Sequence, residues 1–285
     1  MDGPLAGVDL KIERAKAKVA KLKCILGAAL DLDRDCFSLD YDPEIGKHVC
    51  SVVTVPRIDP AWPILVGEIV FQLRSALDHL AWRLVELDEG TPDEQTRFPI
   101  RDTPLDKNGN LMELKVRTMP QIKRLQILEC LDKSQPYARP DGTTKSLLDA
   151  HASQLWLVKA LNNIDKHRLL LATVCALDLD RMWWGIPAGY RHPVYKLNAA
   201  DLEDGSPVVW FDFGGPEAPP NFNPHPSLKV VVREAEAAAV SHFEIGSALE
   251  GMCSWIESQI IGDMFAPLFA EDRTHGAPGA RPYPL

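Results

Sequence analysis

An apolar stripe between Pro63 and Leu87 constrains the fold of this chain more than any other feature of its sequence. Aliphatic residues recur there at helical spacing from Val66 to Leu84, which places them on one face of an α-helix. Pro63 suits the first turn of a helix, because its missing N–H group would have no helical acceptor there. The segment therefore predicts a long amphipathic helix whose apolar face must be buried against other elements.

Weaker versions of the same pattern predict the other helices. Hydrophobic residues recur among charged ones at helical spacing in segments spread over the whole chain. These segments are Val8–Leu32, Leu114–Leu131, Lys145–His151, Ser153–Arg168 and Ala239–Phe265. Pro120 interrupts the second of them, because proline removes a helical hydrogen bond. The stretch from Leu169 to Leu177 fits either an extension of the preceding helix or a strand, since short apolar runs do not distinguish the two.

Segments rich in β-branched and aromatic residues predict strands. They are Cys36–Tyr41, His48–Val55, Val208–Phe213 and Leu228–Arg233. The turn residues Asp42, Pro43 and Gly46 between the first two segments predict a β-hairpin. The last two segments flank a proline-rich connection, and we expect them to pair with each other and to join the hairpin in one sheet.

Together these elements predict the α+β fold class, as a mainly helical bundle of long amphipathic helices with a small antiparallel β-sheet. With 285 residues, of which 46% are hydrophobic, the chain can bury one large core. We therefore expect a single domain over residues 1–270 and a disordered tail over residues 271–285. Turn and polar residues between positions 89 and 110 predict a surface loop, anchored by the short segment Phe98-Pro99-Ile100.

Composition excludes several classes of protein. No apolar run approaches the roughly 18–20 residues that cross a bilayer, and the start Met1-Asp2-Gly3-Pro4 lacks the basic residues of a signal peptide. We expect a soluble, cytoplasmic protein with no membrane partner. The six cysteines are scattered singly, which is typical neither of a zinc site nor of a disulfide framework. A formal net charge of −9 argues against a surface that attracts nucleic acid everywhere, but it permits a local basic groove.

The segment from Phe71 to Trp82 carries Arg74, a polar neighbour, Ser75, and a histidine five positions after the arginine, His79. This Arg-x4-His pattern on a helix resembles the motif of the HEPN superfamily. HEPN domains are helical bundles, and many are metal-independent ribonucleases in which the Arg and His of two subunits meet. The resemblance implies a bacterial HEPN-like ribonuclease or RNA-binding protein that forms a homodimer and needs no cofactor. It also implies a role in toxicity or phage defence, with an antitoxin or regulatory protein as partner.

Metal-independent RNA cleavage requires proton transfer and stabilisation of phosphate charge, which a histidine and an arginine supply. At about 100° per residue, however, Arg74 and His79 lie about 140° apart around one helix. A partner helix or a second subunit is therefore needed to bring both side chains to one phosphate. The alternative is that Arg74 forms an ordinary i,i+4 ion pair with Asp78, while His79 packs at the edge of the helix.

A second cluster closes the helix that begins at Ser153. Its polar residues are Asn162, Asp165, Lys166, His167 and Arg168. Asp165 and Arg168 share a face with apolar residues, so both charges need polar partners. We expect this helix to pack beside the Arg74 helix, so that Asp165 orients His79 or pairs with Arg74. Lys166 or Arg168 would then contact phosphate. The alternative is a structural Asp165–Arg168 pair, with cations placed favourably at a helix C-terminus.

Two hypotheses of function follow. In the first, the protein is an endoribonuclease or an RNA-binding protein. Its catalytic residues are Arg74, Asp78, His79, Asp165 and His167, and its substrate-binding residues are Ser75, Asn162, Lys166 and Arg168. In the second, a non-catalytic dimeric binding or assembly module uses the same helical scaffold, and the ionisable residues form a structural network.

A metal site is the remaining use of these residues. It would draw on Asp78, His79, His151, Asp165 and His167, but none of the His-x3-His or His-Glu-x-x-His spacings of zinc sites occurs. We therefore expect no metal. The sequence also lacks a Gly-rich phosphate loop after a strand and a Gly-x-Ser-x-Gly motif, which argues against nucleotide hydrolysis and serine-hydrolase chemistry.

Overall fold

A computed structural model of the protein describes residues 3–30, 37–112, 119–170, 172–176, 194–197, 201–219, 222, 224, 228–234 and 244–274. The helices are α1 (Ala6–Leu30), α2 (Ala61–Leu87), α3 (Leu125–Lys133), α4 (Leu147–His151), α5 (Gln154–Asp165), α6 (Ile245–Trp255) and α7 (Ala266–Thr274). A π-helical segment, Ile256–Phe265, joins the last two. Within these ranges, no helix has both the length and the apolar character that a membrane span requires.

The α1 and α2 helices form the main helical pair of the fold. Both bury an apolar face, and the aliphatic residues of α2 from Ile69 to Leu84 are fully buried. The α5 helix packs against α2, and α6 packs against α1. The helix predicted over Pro63–Leu87 is therefore confirmed, and the one predicted over Val8–Leu32 is confirmed as far as Leu30, since positions 31 and 32 lie outside the described residues. The α2 helix begins at Ala61, because the Asp59 side chain accepts a hydrogen bond from the N–H of that residue.

The strands are β1 (Phe37–Asp42), β2 (Lys47–Val52), β3 (Ala172–Ala176), β4 (Val194–Leu197), β5 (Pro207–Asp212) and β6 (Leu228–Val232). They form a four-stranded antiparallel sheet in the order β1-β2-β5-β4 and a separate antiparallel pair, β3-β6. The predicted hairpin is confirmed, with Phe37 opposite Val52. The small antiparallel sheet expected from the sequence is therefore present, and the fold is α+β.

The predicted pairing of Val208–Phe213 with Leu228–Arg233 is wrong. The β5 strand joins the hairpin instead, with Val209 opposite Cys50, and both residues belong to a small core on this sheet. The β6 strand pairs with β3, and Val230 packs into the larger core that the helices form. Nearly every residue of β6 is buried, so its sequence lacks the alternation that would reveal its partner sheet.

Other predicted boundaries also change. Residues 119–124 are not helical and α3 begins at Leu125, so the predicted helix Leu114–Leu131 is wrong over its described first half; residues 113–118 lie outside the described residues. Within the stretch Leu169–Leu177, residues 172–176 form the strand β3 rather than a helical extension, and positions 171 and 177 lie outside the described residues. The last helical region is described from Ile245, after its cap Glu244, and positions 239–243 of the predicted helix lie outside the described residues. Its continuation α7 reaches Thr274, so residues 271–274 of the predicted tail are helical, and the rest of that tail lies outside the described residues.

Residues 97–101 form a short extended segment, here called the strap, that crosses the helices. Phe98 is only 1% exposed, and its ring meets Phe265 edge to face with the ring centres 5.9 Å apart. Pro99 and Ile100 are also buried. The anchor predicted within the surface loop is therefore confirmed, and it ties that loop to the C-terminal helices.

Replacement of Phe98 by alanine should destabilise the protein as a core substitution does, although Phe98 lies in a loop. We expect the free energy of unfolding to fall by about 3–5 kcal/mol, the range for large-to-small changes at a buried aromatic residue. Urea unfolding followed by circular dichroism measures this. Leu111→Ala is the matched control, because Leu111 is 83% exposed in the same loop region and should change stability by less than about 0.5 kcal/mol. Equal effects of the two changes would contradict the anchor.

Candidate functional site

Arg74 and Asp78 form a partly buried ion pair on α2 that holds the strap. Arg74 Nε lies 3.1 Å from Asp78 Oδ2, and Arg74 Nη2 lies 2.7 Å from Asp78 Oδ1. The same Nη2 donates to the Phe98 carbonyl at 2.9 Å, and the Phe98 N–H donates to Asp78 Oδ1 at 3.0 Å. The predicted i,i+4 ion pair is thus confirmed. It is more than a surface contact, because it satisfies both backbone groups of a buried residue.

Two further side chains bind the strap from other parts of the fold. Gln135, which follows α3, donates to the Pro99 carbonyl at 3.1 Å and accepts from the Arg101 N–H at 3.0 Å. Lys159 of α5 donates to the Ile100 carbonyl at 3.1 Å. The strap is therefore held by α2, by α5 and by the chain after α3, which fixes its position relative to both helices of the site.

The strap, α2 and α5 enclose a polar groove of about 480 Å³, here called the cationic groove. Its charged residues are Arg74, Asp78, Arg97, Arg101, Lys159 and Lys166. Five cations therefore meet one carboxylate, in a chain whose formal net charge is −9. Clustered positive charge inside a groove raises the local concentration of anions, so this surface suits a phosphate-bearing ligand.

Lys159 shows how closely these cations are crowded. Burial lowers the pKa of Lys159, and the charges of Arg74 and Arg101 lower that pKa as well, while Asp102 opposes them. Lys159 Nζ also lies 4.2 Å from the ring centre of Trp156. Like charges in a partly desolvated groove repel one another, and a bound anion would offset that repulsion.

His79 lies on the other flank of α2, in a different cavity. This second cavity, also of about 480 Å³, is lined by Trp82 and by small and apolar residues at the start of α1. The imidazole lies beside Gly7, where an added Cβ would be 3.1 Å from His79 Nδ1. The two cavities share one lining residue, Asp78. The angular separation expected from the sequence therefore holds, and one subunit does not bring Arg74 and His79 to the same phosphate.

The environment of His79 favours its neutral form. Burial and the charge of Lys11 lower the pKa of His79, and Asp78 raises that pKa in part. Because the ordinary pKa of histidine is about 6.5, the imidazole is mainly neutral at pH 7 and can accept a proton. His79 is nevertheless exposed, so a ligand in this cavity can reach it.

Asp165 lies elsewhere than expected. The α2 and α5 helices pack together as predicted, but they run antiparallel, so the end of α5 meets the first half of α2. The Asp165 carboxylate lies against Gly67, where an added Cβ would be 1.9 Å from Asp165 Oδ1. The expectation that Asp165 pairs with Arg74 or orients His79 is therefore wrong. Burial and the charge of Glu68 raise the pKa of Asp165, and the carboxylate has no hydrogen-bond donor among the described residues.

Of the other residues in the predicted second cluster, Arg168 forms an ion pair within the fold, and Lys166 and His167 lie at the surface. Arg168 binds Glu234 through both terminal nitrogens, at 2.8 and 2.7 Å, so the alternative Asp165–Arg168 pair is also wrong. Lys166 is exposed and lines the cationic groove, whereas His167 is exposed in an adjoining cavity of about 340 Å³. Ser75 is half-buried and makes no side-chain hydrogen bond to a described residue.

Asparagines 162 and 163 also line the cationic groove. Asn163 is exposed, but Asn162 is only 3% exposed, and its side chain makes no hydrogen bond to a described residue. The amide atoms of Asn162 are not among the fully buried unpaired polar atoms of the described residues, so a ligand in the groove can reach them. Asn162 is therefore a predicted substrate-binding residue whose amide is free to bind a ligand.

Sequence reasoning missed the strap as part of the site. Arg97 and Arg101 flank the buried Phe98–Ile100 anchor, and that arrangement of cations around an apolar anchor was the available signal. The His151 side chain was considered only as a metal ligand. Its Nε2 lies 2.8 Å from Asp102 Oδ2, and its ring stacks on Trp156 with the centres 4.2 Å apart. In the described part of the chain, no three His, Cys, Asp or Glu side chains converge as metal ligands do.

No protein-family model matches this chain, and no curated protein or solved structure has significant similarity to it. The fold and the site define an α+β protein with a cationic groove between α2, α5 and the strap. The HEPN resemblance stays a hypothesis that rests on the motif of α2.

The contact between Gly67 and Asp165 predicts a coupling between two substitutions. Gly67→Ala alone should stabilise the protein by less than the helix propensity of alanine, about 1 kcal/mol, because the new methyl group forces the Asp165 carboxyl group to move. In an Asp165→Ala background the same change should stabilise the protein by more, since the three closest atoms all belong to the Asp165 carboxyl group. We expect a coupling free energy above about 0.5 kcal/mol from urea unfolding of the four proteins. Additive effects would mean that Asp165 does not occupy this position.

Proposed function

We propose that this protein binds RNA, with the phosphodiester backbone lying in the cationic groove. The observation that carries the proposal is the convergence of five cations on one groove of an acidic protein. Affinity for RNA arises largely from neutralisation of phosphates by Lys and Arg and from release of the counterions around them. A localised groove supplies that attraction although the protein as a whole repels polyanions.

The cations of the groove have two separate roles in this proposal. Arg74 and Lys159 bind backbone carbonyls of the strap, so they shape the groove and contribute positive potential. Arg97 and Lys166 are exposed and form no ion pair with a described residue. These two side chains are therefore the ones that contact phosphate directly.

Removal of the two exposed cations should weaken RNA binding without unfolding the protein. We expect Arg97→Gln/Lys166→Gln to bind a labelled 12-nucleotide mixed RNA at least tenfold more weakly in 50 mM salt, measured by fluorescence anisotropy. The slope of log K against log salt should also fall by about 1.4, because each phosphate contact in a single strand contributes about 0.7.

Lys107→Gln/Lys123→Gln is the matched control. It removes the same charge from exposed positions that line none of the cavities described above. We expect it to bind RNA like the unmodified protein. Equal weakening by the two double variants would show that binding depends on net charge alone and would overturn the role of the groove.

A second candidate function is metal-independent RNA cleavage, as the HEPN resemblance implies. It is favoured by the exposed and mainly neutral imidazole of His79 beside a cavity of about 480 Å³. In this reading His79 transfers the proton and an arginine stabilises the phosphate charge. Because Arg74 and His79 line different cavities, the arginine would come from a second subunit.

The outer face of α2 offers a surface for such a homodimer. Phe71 and Trp82 are exposed there, and Trp82 lines the same cavity as His79. Exposed aromatic residues on one face of a helix often mark contacts between proteins. Dimerisation through this face would bring the two copies of His79 close together, and it would serve equally well in a non-catalytic assembly module.

Cleavage of RNA by the purified protein in EDTA tests the second candidate. We expect His79→Ala to lower the cleavage rate at least 100-fold, the usual contribution of a general acid or base. His151→Ala is the control, because it removes a histidine that binds Asp102 and lines neither of the two proposed sites. Intact RNA with every form of the protein would leave RNA binding as the function, and equal cleavage by His79→Ala and the unmodified protein would exclude His79.

A further inference from the structure

A third cavity adjoins the cationic groove and is unlike it in chemistry. It has a volume of about 360 Å³ and lies between α1, the first half of α2 and the end of α5. It shares Asn162 and Lys166 with the cationic groove, so the two spaces meet at these residues. We call it the Asp165 cavity, because the carboxylate of Asp165 lines it.

Residues with unpaired hydrogen-bonding groups line this cavity. The Asp165 carboxylate has no donor among the described residues, and the buried Gln72 Oε1 has no hydrogen-bond partner. The amide of Asn162 is likewise unpartnered, at 3% exposure. Gln72 Oε1 is the fully buried atom of the three, whereas the carboxylate of the half-buried Asp165 and the amide of Asn162 are open to a ligand, so the cavity offers unpaired hydrogen-bonding groups to a polar molecule.

The chemistry of these groups defines what the ligand must present. A carboxylate accepts two parallel hydrogen bonds, and a primary amide donates and accepts. Phe71 also lines the cavity and is exposed, so its ring offers a stacking surface. The ligand should therefore be planar, with two adjacent donors beside an acceptor. A metal ion does not fit, because the lining of the cavity has two carboxylates, Asp165 and Glu68, against three cations, and no three potential metal ligands converge in the described part of the chain.

Guanine is the RNA base that meets this description. Its Watson–Crick edge carries the N1–H and N2–H donors side by side, next to the O6 acceptor, and single-stranded RNA exposes that edge. Adenine, cytosine and uracil each place an acceptor beside their donor on this edge, so a carboxylate would face at least one acceptor. The two donors would bind Asp165, and O6 would accept from the amide of Asn162.

We infer that the Asp165 cavity binds a guanine base of single-stranded RNA whose backbone lies in the cationic groove. The inference rests on the proposed RNA binding and adds a base preference to it. Gly67 is part of this arrangement, since its missing side chain leaves the space that the Asp165 carboxylate occupies. Phe71 stacks on the base, and Lys166 lies where the two spaces meet.

Binding of four nine-nucleotide RNAs tests the inference. Each is a uridine strand with G, A, C or U at the centre, and its Kd is measured by fluorescence anisotropy with the full-length protein. We expect the strand with a central G to bind about tenfold or more tightly than the other three, the discrimination typical of one bidentate base contact. Asp165→Asn should reduce that preference below about threefold and leave the Kd for the all-uridine strand within twofold. Asp263→Asn, at an exposed position on the π-helical segment, is the matched control and should keep the preference.

The possible outcomes separate this inference from the function on which it rests. A preference for G that Asp165→Asn removes and Asp263→Asn keeps supports the inference. Equal binding of the four strands, or a preference that persists in Asp165→Asn, overturns it and leaves RNA binding in the groove intact. Failure of all four strands and of the mixed RNA to bind overturns the proposed function and the base preference together.

Discussion

Burial of α2 is the constraint on which the rest of the structure depends. Its aliphatic residues from Ile69 to Leu84 form a fully buried face against the neighbouring helices, so only the flanks and the outer face of α2 reach solvent. Arg74 lies on one flank and His79 on the other, and each lines its own cavity. Helical geometry sets the two motif residues about 140° apart, and burial of the stripe fixes the orientation of α2 so that they line separate cavities.

The features that sequence predicted well are those that local periodicity encodes. The long helices, the first hairpin and the Phe98 anchor follow from the spacing of apolar residues, and the Arg74–Asp78 pair follows from i,i+4 geometry. Pairing of β5 and β6 was mispredicted, because the choice of partner strand depends on contacts between residues distant in sequence. A strand such as β6, buried on both faces, carries too little alternation to reveal its neighbours.

The site was harder to predict than the fold, because its walls come from separate parts of the chain. The sequence predicted that the helix carrying Asp165 packs beside α2, but it did not predict the direction of that helix. Because the two helices run antiparallel, the Asp165 carboxylate lies about two helical turns from Arg74. Gly67 was the sequence signal for this arrangement, because a glycine inside a stable helix usually marks a close approach by another group. The strap depends likewise on Gln135, whose contacts with it span more than thirty residues of sequence.

The cations of the groove fall into two groups, those whose position is explained by folding and those whose position is not. Arg74 and Lys159 are accounted for by folding, since both satisfy carbonyl groups of the buried strap. Arg97 and Lys166 satisfy no buried group and form no ion pair with a described residue, yet they add to a charge that already lowers the pKa of Lys159. Like charges brought together without a structural gain destabilise the folded state, so folding gives no reason for their position. A polyanionic ligand explains their position, because its phosphates neutralise these charges and relief of their mutual repulsion contributes to the binding free energy.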